Sequence, residues 1–286
     1  METLQPDVVP VNDSLERQFR STCDILSRLD RSTANDVEVD LSDAEWFTPA
    51  FLTPTSVVCQ RDDRLDGESL RLPEDKERYL SQINFPMGSN DPTESHENDL
   101  PLCRLNTQSG PASVERVESK IVELLQLALA DSIEGGISAI RYPVNELIDN
   151  VDQHSRCANG ALLVQNYPHK PFVEICVADA GIGILGSYEE SGESVDTDEE
   201  ALRMALNGVS TKSDGVDRGY GIRTTTEMVC DGLEGEILFA SGDTAVHKRG
   251  DESSEAFQLP TEWPGTVFVA RPKRPDKSFN YIDYVG

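Results

Sequence analysis

The sequence predicts an α/β sandwich in which sequential strands join directly, rather than a parallel doubly wound sheet. Three observations carry this expectation. Runs at residues 161–166 and 173–178 read as two strands separated only by a short turn-like stretch. Helix-period runs lie before and after them. A Pro-, Gly- and Ser-rich acidic stretch at residues 86–99 divides the 286-residue chain into segments 1–108 and 109–286, each long enough for a core of its own.

The first segment opens on a helix pattern at residues 13–30, with Leu15, Phe19, Cys23, Ile25 and Leu26 near one face. Residues 37–42, VEVDLS, alternate like a half-buried strand and lead through a turn into an apolar stretch at 46–58. A polar segment at 60–70 precedes a short helix-like piece around Arg78, Tyr79 and Leu80. The second segment follows a short apolar piece at 100–105 with a long helix pattern at 112–133 and another at 137–155. After the two strands, residues 186–198 read as an acidic loop and 199–207 as a helix. A Gly-rich turn then leads to a helix at 222–231, and strands at 236–240 and 266–270 close the order.

The net charge of −27 bounds the partners. Only 7 of the 25 basic residues are Lys, so the surface repels nucleic-acid phosphates and anionic membranes. A salt-rich, halophilic cytoplasm would favour this balance, because dense screening removes the self-repulsion; a cationic protein partner is the alternative. The stretch METLQPDVVPVNDS lacks the basic and apolar regions of a signal peptide, and no apolar run reaches a membrane span. Cys23, Cys59, Cys103, Cys157, Cys176 and Cys230 lie far apart without a CxxC pair, as expected of reduced, buried thiols in a cytoplasmic protein.

Three stretches carry candidate chemistry. In NELIDNVDQHS, residues 145–155, Glu146, Asn150 and His154 share one helix face, while Leu147, Ile148 and Val151 can face a core. Alone this is a solvated polar stripe. A nucleotide site, however, needs an amide oxygen for magnesium and a carboxylate that takes a proton from water, and Asn150 and Glu146 are those groups. In VEICVADAGIGILG, an apolar strand ends at Asp179, and Gly181 and Gly183 let the backbone turn and a flat ligand approach. Gly181, Gly183 and Gly186 also spell GxGxxG, but the acidic residues after them do not continue as an apolar helix, which argues against a dinucleotide fingerprint. In VSTKSDGVDRGYGIRTT, Gly215, Gly219 and Gly221 precede a helix, with Lys212 and Arg218 suited to polyphosphate; alone this reads equally as a surface loop. No GxxxxGK[ST] run is present. The segment from residue 188 to 218 is expected to form a mobile lid over the phosphates.

In this order the stretches resemble the GHKL ATPases: ELIDN their N box, DAGIG their first glycine box, RGYGI their second, and Gly265-Thr266 their closing threonine motif. The resemblance covers residues 112–272 and implies a Bergerat-type α/β sandwich binding ATP and Mg²⁺ between helices and sheet. Carried over, it implies Asn150 as the Mg²⁺ ligand, Asp179 as the adenine reader and Glu146 as the general base. It likewise implies Gly181, Gly183, Gly219 and Gly221 as the pocket's shape and Thr266 as support for Asp179. ELIDNVDQHS and VSTK look most like anti-sigma-type serine kinases. VEVDLSDAEWFTPAFLTPTSVV resembles the strand and helix of a STAS domain, lacking the phosphorylatable Ser at Phe47-Thr48-Pro49-Ala50-Phe51. The expectation is an ATP-binding regulator that hydrolyses ATP or phosphorylates a protein partner, with a homodimer as another form of partnership. A nucleotide-sensing interaction module without turnover is the alternative.

Overall fold

The computed structural model describes residues 2–10, 12–90, 101–105, 119, 136–151, 159–209, 221–274 and 280–284. Their order is β1 (Glu2–Leu4), α1 (Leu15–Arg31), β2 (Val37–Asp40), α2 (Pro49–Arg61), β3 (Leu70–Arg71), α3 (Glu77–Gln82) and β4 (Cys103–Leu105). There follow α4 (Gly136–Asn150), β5 (Gly160–Asn166), β6 (Val173–Asp179), α5 (Gly183–Ser191), α6 (Asp198–Leu206) and α7 (Gly221–Thr226). A π-helical turn (Glu227–Gly232), β7 (Glu236–Arg249) and β8 (Glu255–Arg271) complete the principal elements. The protein is mixed α/β. Its main sheet has the order β4-β5-β6-β8-β7 with every recorded strand pair antiparallel, and a small parallel sheet has the order β1-β2-β3.

Helix α1 forms where the sequence pattern places it. The Ser14 hydroxyl caps it by accepting from the Arg17 N–H, Glu16 lies in its first turn, and Arg28 and Arg31 lie in its last. Leu15, Phe19, Cys23, Leu26 and Leu29 make its buried stripe. Helix α2 has no such stripe: residues 49–59 are buried on all sides, because the helix lies between α1 and the β5-β6 surface. Pro49 starts it, supplying a fixed φ at a position that needs no N–H donor.

Alternation along the strands sorts the main sheet into two faces. Leu163, Cys176, Ala178, Leu238 and Val269 point into a core shared with α1 and α2, so residues on both sides of position 108 build it. Leu162, Ile175, Val177, Phe239 and Phe268 point into a second core with Val144, Leu147, Ile148 and Val151 of α4 and its neighbours. A buried polar cluster pins the first layer. Arg271 donates to Glu174 at 2.8 Å, to Gln18 of α1 at 2.7 Å and to Glu236 at 3.2 Å, and Glu174 also accepts the Ala50 N–H of α2. Burial alone would raise Glu236; hydrogen bonds from His247 and Arg249, with Arg271 beside it, bring it down to about 2.

Three expectations change. Of the acidic loop expected at 186–198, residues 186–191 belong instead to α5, which begins inside the glycine motif and runs to Ser191, while residues 192–197 are a loop before α6. Tyr188 is the reason: its ring is buried with Val195 and Ala201, and its hydroxyl donates to the Val209 carbonyl at 2.6 Å. Within the segment expected as a lid at 188–218, residues 188–191 belong to α5 and 198–206 to α6, and residues 210–218 lie outside the described residues. The strand at 236–240 is the first half of a longer course. Residues 11 apart in a straight strand stand about 35 Å apart, yet His247 Nε2 lies 3.0 Å from Glu236 Oε2 and the Gly250 N–H donates to the Gly235 carbonyl. The chain reverses at Gly242 and Asp243, with Gly242 at φ 60°.

The helix expected at 112–133 lies outside the described residues, apart from Ser119, as does the end of the helix expected at 137–155. Cys23, Cys59, Cys103, Cys176 and Cys230 are buried free thiols, and burial pushes Cys23, Cys59, Cys103 and Cys230 up to about 12. Cys157 lies outside the described residues. Among the described residues no helix is long and apolar enough to cross a membrane.

Candidate functional site

Rows across the sheet explain where a site can exist. On the face toward α4, Ile175, Ala270 and Ile237 form one registered row, and Val177, Phe268 and Phe239 the next. The following row is Asp179, Thr266 and Ser241, polar at all three strands. An apolar face thus ends in a row of one carboxylate and two hydroxyl side chains.

Asp179 is 4% exposed. Burial raises its carboxyl to about 7, while hydrogen bonds from the Gly181 and Thr266 N–H groups pull the other way. The Gly181 bond, to Oδ1, measures 2.8 Å. The Asp179 carbonyl accepts from Trp263 Nε1 at 3.0 Å. Gly265, at φ 135°, passes so close that a Cβ there would strike the Asp179 backbone and carboxylate. Gly183, at φ 70°, would place a Cβ 2.7 Å from Ser241 Oγ. These two glycines permit the β6–α5 turn and the β8 approach to share one small space. Ser241 fastens them together: its hydroxyl accepts the Ile184 N–H at 2.9 Å and donates to the Gly265 carbonyl at 2.8 Å.

The second group sits on α4, which packs on the same sheet face through Val144, Leu147 and Ile148. Glu146 and Asn150 are both half-buried, one turn apart. Glu146 lies against α7: a Cβ added to Gly221 would collide with its carboxylate. Tyr142 stands one turn before Glu146, and burial, with the negative charge of Glu146 beside it, pushes its phenol up to about 12. The structure therefore brings Asp179, Gly181, Gly183 and Thr266 together, and separately brings Glu146 to Gly221. Lys212, Arg218 and Gly219 lie outside the described residues, as does His154.

Sequence reasoning missed Ser241 and Trp263. For Ser241 a signal existed, since the alternation of EILFAS ends in a hydroxyl on the inward side. Trp263 gains its role only from a neighbour distant in sequence. The dinucleotide reading of GxGxxG now has a helix where it needs one. It lacks the parallel crossover, because β6 is antiparallel to both β5 and β8.

No protein-family model matches the chain, and no curated protein matches it.

Proposed function

We propose that the chain is an ATP-binding regulatory protein of the GHKL type, its main sheet and α4 side forming a Bergerat-type sandwich and its first segment a STAS-like unit. The observation that carries the reading is the registered row of Asp179, Thr266 and Ser241, closed by Gly181, Gly183 and Gly265 and facing the helix layer of Glu146 and Asn150. A buried carboxylate at a strand end, with one oxygen engaged by a backbone N–H, is suited to accept a single exocyclic amine such as that of adenine.

Magnesium takes oxygen ligands and keeps several waters, so one amide oxygen beside phosphate oxygens suffices to hold it. Asn150 supplies that amide, and among the described residues no cluster of three or more His, Cys, Asp or Glu offers a dedicated cage. When bound, the ion supplies neutralisation of phosphate charge. Glu146 takes the proton of a water whose oxygen bonds to the γ-phosphorus while the bond to the β–γ bridging oxygen breaks, leaving ADP and phosphate. Lys212 and Arg218 are the proposed phosphate contacts, and Gly219 and Gly221 shape the pocket. The ATP cycle then controls a protein partner or a homodimer, through hydrolysis or phosphorylation.

Calorimetric titration with ATP and Mg²⁺, paired with an assay of ADP formation, tests this. Asp179→Asn, which sets a donor against the adenine amine, should weaken binding by about 1–3 kcal/mol. Asn150→Ala should abolish the Mg²⁺ dependence of binding. Glu146→Gln should bind ATP normally and slow turnover about 10²-fold or more. Unchanged affinity in Asp179→Asn removes it from the site, and binding without any turnover in the wild type leaves a sensing module.

A further inference from the structure

Asp179 is reached from both faces of the main sheet. Its side chain stands in the row that faces α4. Its backbone carbonyl accepts a hydrogen bond of 3.0 Å from Trp263 Nε1, and that indole belongs to the other core, the one shared with α1 and α2. Two residues after Trp263, Gly265 passes so close that a Cβ there would stand 2.4 Å from the same carbonyl oxygen and 2.8 Å from Oδ1. This stretch of β8 therefore grips Asp179 at its backbone, while the Gly181 N–H holds Oδ1 at 2.8 Å. Trp263 is in turn held by the cover layer. It is buried, and Phe19 of α1 meets it edge to face, with ring centroids 5.7 Å apart and planes at 64°.

We propose that Trp263 is a positioning residue for Asp179, and that α1 sets its place through Phe19. This rests on the reading of Asp179 as the adenine contact. An indole has one N–H and no acceptor, so it can hold the carbonyl from one direction only. With the carbonyl fixed by Trp263 and Oδ1 fixed by Gly181, the end of β6 cannot rotate without breaking one of the two bonds. That matters for recognition, because a hydrogen bond weakens steeply once its angle falls below about 120°. A small turn of the strand end thus costs affinity while the fold stays intact. Helix α1 acts on the site from the opposite face of the sheet, which gives the first segment a part in ligand recognition.

The test is calorimetric titration of the full chain with ATP and Mg²⁺ in molar KCl. Trp263→Phe keeps an aromatic ring and removes the donor; it should raise Kd about tenfold. Phe19→Leu, which removes the edge contact, should raise Kd about threefold. Leu29→Ala opens the same core about 15 Å further along α1. It should lower the unfolding temperature and leave Kd unchanged, which separates positioning from plain stability. On an Asp179→Asn background, Trp263→Phe should produce no further loss, since it acts through the carboxylate. If Asp179→Asn weakens binding but Trp263→Phe binds like wild type, or weakens Asp179→Asn by its full factor, the proposal is overturned and the reading of Asp179 stands. A Leu29→Ala protein that loses as much affinity as Trp263→Phe overturns it too. If Trp263→Phe does not fold, Phe19→Leu decides, and an unchanged Kd there overturns the proposal. A wild type that binds no ATP, or an Asp179→Asn protein that binds as tightly as wild type, overturns the reading and the proposal together.

Discussion

At the scale of single residues, Asp179 carries a cost that pH exposes. Its carboxyl is raised to about 7 because burial outweighs the hydrogen bonds from the Gly181 and Thr266 N–H groups, whereas in the unfolded chain it returns to the ordinary carboxylate range. A raised acid binds its proton more tightly in the folded state. Its contribution to stability is present below the unfolded value and is lost as pH rises through the folded one. Wild type should therefore lose about 2–3 kcal/mol relative to Asp179→Asn between pH 5 and pH 8. Urea unfolding of both proteins at the two pH values checks this, and parallel curves would show that Asp179 is ionised at no cost. Asp179 was legible in the sequence because a carboxylate at the end of an apolar strand, followed by alternate glycines, is chemically odd. Trp263 was not, because the indole that holds the Asp179 carbonyl arrives from 84 positions away.

At the scale of elements, the sequence pattern found a striped helix and compact apolar strands and misread elements that are neither. Helix α1 carries a clear stripe, and strands β5 and β6, buried along their whole length, show as apolar runs; all three follow the expectation within a residue or two. Helix α2 is buried all round, so its sequence shows an apolar stretch without a period. Helix α5 is the opposite case: nine residues, ending in Glu189, Glu190 and Ser191, with most of its burial concentrated in Tyr188. Glu189 and Glu190 are its solvent side, and only residues 192–197 beyond it form the loop. Tyr188→Ala should consequently cost about 3–5 kcal/mol, by cavity formation and loss of the bond to the Val209 carbonyl. Thermal unfolding measures this, and a change under about 1 kcal/mol would mean that α5 is held by its backbone contacts alone. The reversal within β7 went unread because a Gly-Asp pair signals a hairpin only when strands on both sides are recognised, and TAVHKR beyond it was not.

At the scale of the whole molecule, the linker at 86–99 suggested two independent units, but the packing joins them through one core. Strand β4 pairs with β5, and α1 and α2 cover Leu163, Cys176, Ala178, Leu238 and Val269 of the main sheet. The Arg271–Glu174–Gln18 cluster adds direction to this contact, since removing α1 and α2 would leave a charged pair at an exposed apolar face. A fragment of residues 101–286 keeps every strand of the main sheet and loses only its cover. It should fail to unfold cooperatively and should self-associate, because an uncovered apolar sheet face exceeds what a soluble monomer tolerates. The net charge of −27 offers a competing cause, for repulsion alone can prevent folding at low salt. Molar KCl separates the two, because it shrinks the Debye length to about 3 Å and suppresses repulsion without restoring the missing cover. The full chain should gain stability from low to molar KCl, whereas the fragment should remain non-cooperative in both. A fragment that unfolds as sharply as the full chain in molar KCl would show that the main sheet is self-sufficient and that α1 and α2 are a detachable cover.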